Sequence, residues 1–96
     1  MIKFFSFADF GVSAIIVAKS RESAIECYVD KLEGDKNLSP KEINSNEALT
    51  YFVKAMSNAP YMKVLEVFYE TIRDFEEQLD KGIIEYEILL LESWLC

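Results

Sequence analysis

Apolar positions follow two rhythms along this chain. Over residues 2–18 the rhythm has period two. In "IKFFSFA", Ile2, Phe4, Phe5 and Phe7 occupy both sides of that pattern, which predicts a strand buried on two faces, inside a sheet. "DFGV" follows, where Gly11 suits the positive φ of a tight hairpin, and "SAIIVAKS" predicts a second strand centred on Ile15, Ile16 and Val17. From residue 21 the rhythm changes to three and four. Ser20 is a good N-cap for "RESAIECYVDKLEG", in which Ala24, Ile25, Tyr28, Val29 and Leu32 share a helical face and Gly34 suits a stop.

"DKNLSPKEINSN" breaks the pattern and reads as the main loop. Ser39-Pro40-Lys41-Glu42 inside it has the form of a capping box with proline at the first helical position, which predicts one short helical turn. A second cap at Asn44 or Ser45 opens a helix striped by Leu49, Phe52, Val53 and Met56, and "SNAP" ends it. Pro60 then opens the longest helix, to about Lys81, with Tyr61, Val64, Leu65, Phe68, Ile72, Phe75 and Leu79 on its apolar side and Gly82 at its end.

The last segment, "IIEYEILLLESWLC", returns to period two. Ile84, Tyr86, Ile88 and Leu90 alternate with Ile83, Glu85 and Glu87, and from Leu89 both sides turn apolar. This predicts a strand half-buried at its start and buried at its end, with Trp94 capping the core or facing a partner. Glu85, Glu87 and Glu92 exclude a bilayer span, and a C-terminal prenylation signal needs its cysteine four from the end. The expected fold is α+β, in the order strand, strand, helix, helix, helix, strand. A three-stranded, mostly antiparallel sheet, strand order 2-1-3, carries the helices on one face. Residues 1–96 make one compact domain.

Composition narrows the function. There is no histidine, the commonest general base and a frequent metal ligand. Cys27 and Cys96 lack the spacing of a zinc cluster, and two unpaired thiols suit a reducing cytoplasm, with a bridge between them left open. The opening "MIKFFSFADFGVSAIIVA" is interrupted by Asp9 and Gly11 and reads as two strands rather than a signal peptide. "DFG" at residues 9–11 spells a kinase triplet, but the companion motifs are missing. If Glu42 took the last position of a calcium loop, Lys31 would fall at the first ligand position and Lys36 at the turn glycine, which argues against calcium. The expectation is a protein without cofactor or metal and without enzymatic activity. A carboxylate-only, cofactor-free enzyme is the minor alternative.

Charge is the feature that points to a partner. Residues 1–60 carry seven Lys/Arg and eight Asp/Glu, whereas residues 61–96 carry three and nine, a net of −6. Glu66, Glu70, Asp74 and Glu77 share one face of the long helix at a spacing where like charges repel. Glu85 and Glu87 extend the negative surface, and alternate strand residues lie ~7 Å apart, close to the phosphate spacing of a nucleic-acid strand. Direct binding to nucleic acid or an anionic membrane is disfavoured, and a protein with a basic surface is the expected partner. In architecture and composition the chain resembles the small acidic inhibitors that phages make against host nucleases, such as anti-CRISPR proteins. The likeness is one of type and transfers no site residue. The expected role is a decoy on the basic surface of a nucleic-acid-handling protein, through Glu66, Glu70, Asp74, Glu77, Glu85, Glu87 and Trp94. The alternative is a regulatory or assembly protein using an apolar surface near Trp94. A homodimer remains open.

Overall fold

The computed structural model describes residues 2–9, 12–34 and 37–93. The elements are β1 (Lys3–Asp9), β2 (Val12–Ala18), α1 (Arg21–Leu32), β3 (Lys41–Ile43), α2 (Ser45–Ala55), α3 (Tyr61–Asp80) and β4 (Tyr86–Ser93). The fold is α+β, with a four-stranded antiparallel sheet in the order β3-β1-β2-β4.

This corrects the three-stranded sheet of order 2-1-3. The final strand pairs with β2, not with β1, and β3 occupies the other side of β1. The reason lies in β2 itself: Ala14 to Ala18 are all buried, on both faces, so β2 is as interior as β1 and needs a neighbour on each side. β3 replaces the helical turn expected at Ser39–Glu42. The capping box lies five residues further on, where Asn44 Oδ1 accepts from the Glu47 N–H at 2.8 Å and Glu47 Oε1 accepts from the Asn44 N–H at 3.3 Å.

Nor do the helices share one face. α1 covers one side, where Ala24, Cys27 and Tyr28 pack with Phe5, Phe7, Ala14 and Ile16. α2 and α3 cover the other, where Phe52, Val64, Phe68 and Phe75 pack with Phe4, Ile15, Val17 and Ile43. Two adjacent strands apolar on both faces cannot leave either face in water, so a helix layer on each is the arrangement their composition demands. Phe7 stacks on Tyr28 with ring centroids 4.4 Å apart, and Phe68 meets Phe52 edge-on at 5.4 Å.

Local signals set the helix ends. Ser20 Oγ accepts from the Ser23 N–H at 3.2 Å and caps α1. Its stop is Glu33, in the left-handed region at φ 54°, rather than Gly34. α3 closes with Gly82 at φ 74°, the Ile83 N–H donating to the Gln78 carbonyl and the Gly82 N–H to the Leu79 carbonyl, a Schellman arrangement. The expected stripes hold at Val64, Phe68 and Phe75 on α3 and at Phe52 on α2, with Leu49 and Val53 packed beside it; the exceptions are Met56 and Tyr61, which are exposed, Tyr61 at 58%, and Ala48, which joins the core. The hairpin turn expected at Gly11 falls on residues 10–11, outside the described residues.

Candidate functional site

Glu66, Glu70, Asp74 and Glu77 all lie on the exposed side of α3, opposite Val64, Phe68 and Phe75. Of the four, Glu66 has a partner, Lys63 at 3.9 Å, and both side chains are more than half exposed, so the pair screens little. Among the described residues, Glu70, Asp74 and Glu77 form no salt bridge.

β4 brings a fifth carboxylate to them. Glu87 is paired with Val17 in the sheet register, and Val17 belongs to the face that α2 and α3 cover. Glu87 is therefore aimed beneath α3 and half-buried. Its pKa is raised above the usual glutamate value, first because burial disfavours the charged form and second because Asp74 repels it. Among the described residues, no Lys or Arg forms a salt bridge with Glu87. α3 and β4 thus bring two carboxylates, Asp74 and Glu87, close enough to repel one another, with no salt bridge to either among the described residues.

The other predicted positions divide. Glu85 lies before β4 and its Oε1 accepts from Lys19 Nζ at 2.6 Å, so it is tied to the chain rather than free beside Glu87. Trp94 lies outside the described residues. β4 also departs from simple alternation. Ile15 pairs with Leu90 and Ile16 with Ile88, leaving Leu89 as a bulge. The bulge puts Leu89 and Leu90 both on the α2/α3 face, Leu89 buried at 9% exposure, and leaves Leu91 half in water. The family model described as the YosH C-terminal domain matches residues 2–90.

The chain belongs to the YosH C-terminal domain family.

The match to the YosH C-terminal domain runs from the residue before β1 into β4, so it includes Asp74, Glu87 and the bulge. No curated protein and no solved structure matches the chain. Among the described residues, no group of three or more His, Cys, Asp or Glu could hold a metal ion. Cys27 is a buried free thiol whose pKa burial pushes up to about 11, which makes it a poor nucleophile. No helix of the described residues is long and apolar enough to cross a membrane.

Sequence reasoning missed two surfaces. Beside the start of β4, a cavity of about 360 Å³ is lined by Glu26, Lys31, Ile83, Ile84, Glu85 and Tyr86. Tyr61, Met62 and Tyr69 are exposed on α3 and Tyr51 on α2. Helical spacing put Tyr61 in the expected apolar stripe, and only the crossing of α2 and α3 decides that it stays outside.

Proposed function

We propose that the protein is a non-enzymatic binding module whose α3–β4 edge docks on a basic surface of a nucleic-acid-handling protein, as an acidic decoy. The observation that carries this reading is the approach of Asp74 on α3 to Glu87 on β4, with Glu70 and Glu77 on the same exposed side of α3 as Asp74 and none of the four in a salt bridge among the described residues. A fold gains nothing from concentrating like charge at one edge. A partner bearing Lys or Arg gains steering and register from it. A groove that holds phosphates offers the spacing and sign such a row of carboxylates would meet.

The test is a triple variant, Glu66→Lys, Glu70→Lys and Asp74→Lys. The side chains are exposed, so the melting temperature should stay within a few degrees of the parent. Proteins captured from the native cell at low salt should be lost with the variant, and lost with the parent when salt is raised. A folded variant that captures the same partners with unchanged affinity removes the role given to this face.

One observation favours a second reading, an assembly or regulatory protein using apolar contacts: Ile83 is 64% and Leu91 50% exposed, on β4 and its approach. Such a complex would survive high salt, where the electrostatic one would not.

A further inference from the structure

β4 is the last strand of the sheet, paired with β2 on one side and with no strand beyond it among the described residues. Which of its backbone groups face outward can be worked out. The Lys19 N–H donates to the Glu85 carbonyl at 3.2 Å, which makes Lys19 and Glu85 a hydrogen-bonded pair at the head of the ladder. In an antiparallel ladder such pairs alternate, and the backbone of every second residue turns the other way. The N–H and C=O groups of Glu85 and Glu87 therefore turn toward β2, and those of Tyr86 and Ile88 turn outward.

The side chains flanking this edge differ from face to face. On the α3 face stands Glu87, with Asp74 above it. On the α1 face lies the cavity of about 360 Å³, with Ile83, Ile84 and Tyr86 as apolar walls. α1 is oriented to form its far side: Arg21 reaches away, to the Pro40 carbonyl at 2.7 Å on the β3 side, while Glu26 and Lys31 border the cavity.

We propose that the outer edge of β4 takes an extended segment of a protein partner as a fifth, antiparallel strand, with a basic residue opposite Glu87 and apolar residues opposite Tyr86 and Ile88. The sheet's free backbone groups supply the ladder, and the two faces supply the sequence preference. The residue opposite Glu87 sits in a non-hydrogen-bonded pair, where Cα atoms approach to about 4.5 Å, so a lysine or arginine there meets both carboxylates. Its neighbours on either side point to the α1 face, where the cavity beside Tyr86 receives one of them. The charge at the edge selects a basic segment over a second copy of this chain, whose own β4 would bring Glu87 against a negative field. The proposal rests on the α3–β4 edge being the docking site and adds the form of the ligand.

The probe is a capped heptapeptide of alternating lysine and valine, titrated into the full chain and followed by amide NMR. The expected result is that the Tyr86 and Ile88 amides shift most and exchange more slowly with solvent. N-methylation of the valines removes the donors facing β4 and should weaken binding at least tenfold, whereas N-methylation of the lysines should be tolerated. Glu87→Lys should weaken the unmodified peptide by a similar factor. If both methylated peptides bind like the parent and shift only α3 resonances, the fifth strand is excluded while electrostatic docking survives. If none of the peptides binds, the edge proposal falls. If the Tyr86 and Ile88 amides are already protected without peptide and sedimentation gives twice the chain mass, the edge belongs to a second copy and the proposal is overturned.

Discussion

Single residues on this molecule carry two opposed demands, and Glu87 shows both. Burial and Asp74 raise its pKa, so the folded state holds its proton more tightly than the unfolded chain does. Stability from this group is thus greatest at low pH and falls as pH rises from the ordinary glutamate value of 4.5 through the raised folded value. Above that window Glu87 is charged and a net cost. Glu87→Gln should therefore raise the melting temperature at pH 7 slightly, on the order of a degree or two given partial exposure, and flatten the fall above pH 4.5. The same change should weaken binding of a basic peptide. Stability and binding moving in opposite directions is the outcome to check, by melting curves across pH beside a titration. Gly34 makes a different residue-scale prediction. A β-carbon there would run into the ring of Tyr28, which is 2% exposed and stacked on Phe7. Gly34→Ala should cost about 1–3 kcal/mol in urea unfolding, as overpacking of a filled core does.

Elements differ in how openly the sequence announces them. The three helices were legible almost to the residue, because Ser20, Asn44 and Gly82 mark their ends and apolar spacing repeats within each. β3 was not, since Lys41-Glu42-Ile43 has one apolar side chain and no room for a period. It exists because the edge of β1 is open and Ile43 can be buried there beside Phe4. The placement of β4 was hidden for a further reason: which strand it joins depends on contacts more than sixty residues apart, and periodicity carries no such information. The acidic row on α3 was visible in the spacing of Glu66, Glu70, Asp74 and Glu77. The approach of Asp74 to Glu87 was not, because that needs the sheet order. β4 should prove structural over its second half. Leu89→Ala should cost about 2–5 kcal/mol, and deleting residues 88–96, which strips the ladder from Ile16 to Val12, should abolish folding at 25 °C by circular dichroism. A truncated chain that keeps its native spectrum would make that half dispensable.

At the scale of the whole molecule, one sheet divides two cores and joins them. Cys27 reports on the α1 side and Phe68 on the α3 side, and both rest against β1 and β2. Unfolding is expected to be one transition: thiol labelling of Cys27 in a Cys96→Ser background should share its urea midpoint with the loss of Phe68 amide protection. Separate midpoints would mean that the two layers melt independently. The bulge at Leu89 has its consequence at this scale too. An open strand edge is a template, and a template that accepts one strand can in principle accept strand after strand until the protein is a fibre. Here the facing of side chains flips by one residue at Leu89. A straight incoming strand that matches Tyr86 to Ile88 is out of phase with everything beyond. Growth would have to start from three residues of true pairing, too few to seed a lasting ribbon and enough to orient a charged guest. If the edge takes a guest strand as proposed above, the irregularity would act as a safety catch, confining pairing to a short stretch and opposing growth into a fibre.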